Sequence, residues 1–562
     1  PLPYPFSERS PAVPTRRSFL LLSAGALTAA GLTACSSGVA ADSAPGTGGT
    51  PRDGGTLTFA TDVEPDNFDP HVSPADIVGV LMRNVFDSLV AQREDGGFEP
   101  WLAKEWKVSD DGRAYTFRLR DDVRFTDGTP FDAAAVRANF DRVVAPATKS
   151  QYAATLIGPY ERTDVVDRHT VTVRLKKPYA SFLHAVSTTY LGFHSPKALR
   201  DRPGELAAGG PASVGTGAFT FVSRVKGQRL VLARNEDYAW APASARNDGP
   251  AHLERLVVTF LPENATRVGS VTSGQADVAD ALPANRVASL KSQPGLTISG
   301  HDSPGIVYSY FLNTGRAPLD RLDARLAVLH AVDTEAITKA VFSGQYRRAW
   351  GPLSPSTPGY SAAVENTWKH DPARAGALLD GLGWTGRDSD GYRTKDGRRF
   401  RLTLLYVPAY TKPERRTFDT AVQDALKKVG VELVLEPLDA GGYTPVRDRG
   451  DYDVIAFAWG GSDPDLLRTV FHSGSQLADG GANGSRLHDP RIDGWLDAAT
   501  ATVSREERWA LYAKVQQRVV SQGYALPAFV GTRQLGIRGR AHDVAFDASA
   551  WPLFQGAWVD AD

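Results

Sequence analysis

Asp463 and Asp465 follow a tryptophan and two glycines in DYDVIAFAWGGSDPDLLRTVF, Asp451 to Phe471. Carboxylates just past an apolar run can receive the positive or hydrogen-bond-donating end of a ligand. Trp459 offers a stacking wall, and Gly460 and Gly461 let backbone approach a ligand closely. Both acids also have plainer uses: Asp463-Pro464 is turn chemistry, and Asp465 suits the N-cap of LLRTVF. Motifs for covalent or metal chemistry are not built elsewhere. GLGWTG at 381–386 has the spacing of a dinucleotide loop but ends a helix, where the mechanism needs a loop that opens one after a strand. DSDG at 388–391 starts like a calcium loop and lacks the remaining ligands. No GxSxG elbow, HExxH pair or Walker loop occurs, and the 11 histidines are scattered singly. The reading is of a binding protein without metal or cofactor. A secreted hydrolase with a dispersed triad and an interaction or sensor protein are the alternatives.

The chain that must position these groups has 562 residues, 42% hydrophobic and 23% charged, enough for two or three lobes. Its net charge of -1, with no basic stripe, argues against a nucleic-acid partner. The single cysteine excludes an internal disulfide. That residue, Cys35, ends TRRSFLLLSAGALTAAGLTAC, in which Arg16 and Arg17 precede an apolar run too short and glycine-rich to span a bilayer. The pattern predicts an exported chain. Pro1 stands where an initiator methionine would, so the start reads as incomplete. SSGVAADSAPGTGGTPR, after the cysteine, has the small polar composition of a flexible tether.

Further on, GGTLTFATD alternates as a strand, and Ile77, Val80, Leu81, Val85 and Leu89 recur at helical spacing. RAYTFRLRDDVRFTDGTPFDAAAVRANFDRV reads as strand, turn and helix, with Asp132 as N-cap. GAFTFVSRVKGQRLVLARN reads as a hairpin turning at Lys226-Gly227. In the second half, Asp371 caps a helix with Pro372 at its first position and Gly383 past its end. The strand RFRLTLLYV, an amphipathic helix from Glu414 to Val429, and the strand VELVLEPL follow. DVIAFAW, a continuous apolar run, suits a strand covered on both faces. The succession predicts a βαβ-type lobe, in which ligands sit beyond the carboxyl ends of strands. Trp459 to Asp465 occupies that place.

Five segments, in order, resemble the extracellular solute-binding proteins of family 5, the peptide and nickel-chelate receptors of ABC importers. They are YTFRLRDDVRFTDGTPFDAAAVRANFDRV, VGTGAFTF with LARNEDYAW, YFLNT leading into LAVLHAVDTEAI, DPARAGALLDGLGW, and YDVIAFAWGGSDPD. TRRSFL is similar to a twin-arginine export signal, and LTAC to a lipoprotein box whose cysteine is acylated. The resemblance implies an α/β, two-lobed periplasmic-binding-protein-like fold (type II, the Venus-flytrap kind), with an extra subdomain in the first lobe. It places a signal peptide over 1–35 and a tether over 36–53. Lobe one then comprises 54–84, 210–306 and 532–562, the extra subdomain 85–209, and lobe two 307–531.

The same resemblance implies a lipid-anchored monomer on the outer face of the cytoplasmic membrane. Its partners would be ABC permease subunits with their cytoplasmic ATPase, and its ligand a peptide or peptide-like solute. A metal chelate, opine-like or other polar compound is the alternative. Phe68, Tyr152, Tyr308, Tyr310 and Trp459 lie in segments that line the cleft in family members; core packing is the plainer role for each. Asn313 could anchor the hinge strand or touch the ligand, and the structural role is the favoured one. Peptide binders of the family commonly carry an aspartate three residues after the tryptophan equivalent to Trp459. Here that position is Ser462, with Asp463 and Asp465 beyond it.

Overall fold

A computed structural model describes residues 49–561. The signals at Arg16, Arg17 and Cys35 and most of the tether lie outside the described residues. Two large sheets organise the described chain. The first has seven strands in the spatial order Leu296–Asp302, Thr532–Arg538, Val278–Ala279, Thr56–Thr61, Arg255–Phe260, Arg229–Arg234 and Phe219–Val225. The second has six: Arg347–Arg348, Ala525–Val530, Gly305–Leu312, Val454–Gly460, Arg401–Tyr406 and Glu432–Pro437. A four-stranded antiparallel sheet, from Ala103–Val108 through Tyr160–Asp167, forms a further layer beside the first.

Local chemistry explains many of these elements. The Asp132 carboxylate accepts from the Ala134 and Ala135 amides at the start of the helix Ala133–Val144. Asp371 accepts from Arg374 N at 2.8 Å, opening Pro372–Gly381. Gly227, at φ 72°, turns the hairpin between Phe219–Val225 and Arg229–Arg234. Arg401–Tyr406, the helix Pro413–Lys428 and Glu432–Pro437 form the expected parallel unit, and Val454–Gly460 lies parallel on the other side of Arg401–Tyr406.

Two elements differ from their sequence pattern. The helical spacing from Ile77 to Leu89 gives only the short helix Asp76–Met82. The Asn84 side chain donates to the carbonyls of Val80 and Leu81, closing the helix, and Val85 and Leu89 are buried in the turns that follow. In the strand Val454–Gly460, Val454 and Ile455 are covered on both sides, but Ala458 and Gly460 are exposed. Its apolar run leaves the sheet interior and emerges beside the point where the chain changes lobes.

That change occurs twice, between Leu296–Asp302 and Gly305–Leu312, and between Ala525–Val530 and Thr532–Arg538. The crossovers are tied together: Ser303 N donates to Gly531 O at 2.7 Å, and Thr532 Oγ1 to Asp302 Oδ1 at 3.0 Å. Gly305 has φ 114°, and a Cβ there would lie 2.2 Å from the Trp459 carbonyl oxygen. Only glycine lets the two strands pair at this corner. One core runs from the first sheet into the four-stranded layer, joining Leu57 and Phe59 with Phe117, Phe140 and Phe182. Lobe two holds its own clusters around Leu402, Phe418 and Phe529 and around Phe311, Leu467 and Tyr512. Continuous apolar packing makes lobe one and the extra layer one body, with lobe two as the second. No helix among the described residues is long and apolar enough to cross a membrane.

Candidate ligand-binding cleft

The loop after Val454–Gly460 begins at the hinge. Gly305 pairs with Gly460, and Gly461 N donates to Pro304 O at 3.2 Å. Trp459 is half-buried and Gly460 is exposed. Across the gap stands Asp76, the first residue of the short lobe-one helix. A Cβ on Gly460 would lie 3.7 Å from its Oδ2. Tyr152 stands edge-on to Tyr190, with ring centroids 4.9 Å apart. Asp76 and Asp463 both act on the Tyr152 phenol, which burial pushes up to about 12. Gly460 of lobe two, Asp76 of lobe one and Tyr152 of the extra subdomain therefore lie near one another, beside the strand end at Trp459.

Beyond Gly461 the loop turns inward. Ser462 Oγ donates to Gln92 Oε1 at 2.7 Å, and Gln92 Nε2 donates to the Ser462 carbonyl at 3.1 Å. Asp463 is buried; its Oδ1 accepts from Asp465 N at 2.7 Å and from Ser181 Oγ at 3.2 Å. Arg508 Nη2 lies 3.5 Å from the same oxygen and donates to Ser181 Oγ at 3.0 Å. Tyr512 Oη donates to Asp465 Oδ1 at 2.8 Å. Asp463 pairs with Arg508, whereas Asp465 has Arg468 Nε at 3.6 Å from its Oδ2, and their environments separate them. Burial alone would raise Asp463, but Arg508, His184, the Asp465 amide and Ser181 hold it below the usual carboxylate range. Asp465 is pushed up to about 6 by burial, against the pull of Arg468.

The Asp463-Pro464 turn is therefore real, with Asp463 receiving the amide two residues on. The N-cap expectation for Asp465 is corrected: its side chain caps nothing in Leu466–Phe471, because Tyr512 engages it. Three aromatic expectations also need correction. Phe68 has no exposed surface and packs edge-on against Phe221 beneath Arg224. Tyr308 is stacked on Phe529 at 4.8 Å, and Tyr310 donates to Asp419 Oδ1 at 2.8 Å; both are buried in lobe two. They share a face of one strand, and that face is turned to the core. Asn313 donates to the carbonyls of Gly450 and Tyr452, an anchoring role. Asp76, Ser181, Gln92 and Arg508 had escaped sequence reasoning. No local motif marks them, and what makes them relevant is distance in space alone.

A cluster elsewhere has the residue types of a metal centre. Asp69, His71 and His194 are buried, with ligand-type atoms within 4.8 Å of one another. A cation already stands among them. The Arg142 guanidinium pairs with Asp69 and donates to His71 Nδ1 at 2.8 Å, while His71 Nε2 faces the Gly192 carbonyl at 2.8 Å. Burial brings His71 down to about 3, so the imidazole stays neutral. Asp69 Oδ1 also lies 3.2 Å from His194 Nε2. With Asp69 and His71 engaged by a fixed guanidinium, the arrangement fits a structural polar knot between the first lobe and the extra layer.

Two α/β bodies joined by paired strand crossovers form a two-lobed fold. The pattern of the "Bacterial extracellular solute-binding proteins, family 5 Middle" matches residues 97–477, and the chain belongs to this family. It is 28% identical over 510 residues to the "Probable D,D-dipeptide-binding periplasmic protein DdpA" of Escherichia coli K12, covering 89% of this chain and 93% of that one. It is 30% identical over 521 residues to "Protein XP55" of Streptomyces lividans, covering 91% and 90%. The crystal structure of NikA from Brucella suis in complex with Fe(III)-EDTA superposes with a TM-score of 0.79 at 26% identity, covering 90% of this chain and 100% of that one. Family members are extracytoplasmic substrate-binding proteins that work with ABC permeases, not enzymes.

Proposed function

We propose that this chain is the lipid-anchored receptor of an ABC importer. It captures a peptide or peptide-like solute between its lobes and delivers it to the permease. One observation carries the reading: the exposed end of Val454–Gly460 faces Asp76 across the hinge, so hinge motion opens and closes this space. Peptide is favoured over metal chelate because His71, His184 and His194 are all buried, and the relative with the dipeptide name spans nearly the whole chain. Within the cleft, Trp459 supplies an apolar wall, Gly460 and Gly461 a close backbone approach, and Tyr152 a second aromatic face. Export follows the Arg16-Arg17 signal, and acylation of Cys35 leaves the chain on the outer face of the membrane, as a monomer.

Native mass spectrometry of the protein released from intact cells tests the receptor role. A peptide-sized non-covalent adduct, lost on unfolding, is expected; an adduct-free protein that binds no component of a casein hydrolysate overturns the peptide reading. Cys35→Ala should move the protein from the membrane to the soluble fraction, and unchanged membrane retention rules out the lipid anchor.

A further inference from the structure

Asp76 is a carboxylate at the mouth of the cleft to which, among the described residues, no hydrogen bond or ion pair is made. Acids that act on the same Tyr152 phenol or feel the same Arg533 are engaged. Asp463 has Arg508 at 3.5 Å, Asp280 has Arg533 at 3.1 Å, and Asp547 accepts the amides of Ser549 and Trp551. Arg533 is the cation whose field reaches Asp76, and it is already committed to Asp280. Opposite Asp76 stands Gly460, so that bare backbone and not a side chain faces the carboxylate. The Tyr190 hydroxyl donates to the Ala75 carbonyl at 3.2 Å, fixing the approach to Asp76, and Tyr152 lies edge-on to that ring. An accessible negative charge beside aromatic rings, facing bare backbone from the other lobe, is complementary to a compact cation.

We propose that Asp76 is the residue that recognises a positively charged group of the solute, an ammonium or guanidinium, and that Asp463 is not. This rests on the receptor reading above and assigns the charge of its ligand. The Asp76 carboxylate has no paired cation, only the more distant field of Arg533, and enclosure by protein raises its proton affinity. A bound cation supplies the missing partner as the lobes close. The rival reading makes Asp76 a helix-first-turn acid that only complements the helix dipole. It predicts no effect on binding.

The test uses two probes: a casein hydrolysate, and the same hydrolysate treated with acetic anhydride so that its amines are capped. Retained peptides are quantified by native mass spectrometry for the parent protein, Asp76→Asn and Asp463→Asn. Retention by the parent should fall about tenfold or more on acetylation, unless the retained peptides carry arginine. Asp76→Asn should lose the parent's preference for cationic peptides. Equal retention of capped, arginine-free peptides by the parent overturns the proposal, as does a preference unchanged in Asp76→Asn. Retention of nothing from either probe defeats the peptide reading instead. The carboxyl ¹³C titration of Asp76 in the empty protein then decides the assignment: a pKa above the ordinary aspartate range supports it, and one at or below that range reveals an existing partner and overturns it.

Discussion

Two carboxylates reach the cleft from opposite lobes, and they are held in opposite ways. Asp463 is buried, with an amide, a hydroxyl and an arginine around one oxygen. Asp76 is exposed, and no group among the described residues pairs with it. The acid that stands in the more suggestive sequence is the one already neutralised. Its neighbours Ser462 and Ser181 tie lobe two to the extra subdomain, as does the bond from Ala180 N to Thr500 O at 2.9 Å. A charge with its partner built in fixes geometry, whereas a charge without one leaves energy to be gained from a ligand.

The largest effect on folding is expected at Asp463. Asp463→Asn leaves Arg508 buried without its counter-ion and should cost about 3 kcal/mol in denaturant unfolding. Replacing Arg508 with methionine in the same chain should recover part of that loss. A single variant as stable as the parent would remove the distinction drawn between the two acids.

Asp465 should act next, and with the opposite sign. Its proton is bound more tightly in the folded state, with a pKa of about 6 against an ordinary value near 4. Its contribution is therefore fully present below pH ~4 and is lost as pH rises through about 6. Asp465→Asn should then stabilise the protein by about 1–2 kcal/mol at pH 7.5 and by little at pH 4. Melting curves at the two pH values check this, and a variant destabilised equally at both would show that the ionised carboxylate is the favoured form.

At Asp76 the smallest folding effect is expected. Asp76→Asn should change stability least of the three, and toward greater stability at pH 7.5, since its surroundings favour the uncharged carboxyl, while altering solute capture. Loss of several kcal/mol would reveal a structural partner and bring it into line with Asp463.

The sequence made local elements readable because their causes are local. Asp132 and Asp371 cap helices two or three residues away, Gly227 turns its own hairpin, and the parallel unit from Arg401 to Pro437 follows from hydrophobic period and breakers. The candidate site was readable only where it belonged to such an element, at the strand end Trp459-Gly460. What Asp463 does depends on Ser181, 282 residues earlier, and on an arginine in a helix beyond the loop. Phe68, Tyr308 and Tyr310 were legible as aromatics in the right segments. Which face of the strand meets the core depends on Phe529, Phe221 and Asp419, none of them adjacent in the chain. Asp76 carried no signal, since an acid in the first turn of a short helix is ordinary.

Capture by closure is the claim on which the rest stands, and small-angle scattering tests it most directly. The protein is stripped of solute by unfolding and refolding, then measured before and after addition of the peptide it retains from casein hydrolysate. The radius of gyration should fall, and at 100 times the dissociation constant the folded state should gain about 2.7 kcal/mol, seen as a higher melting temperature. A tightly retained peptide that raises the melting temperature but leaves the scattering curve unchanged would contradict closure of the lobes around it.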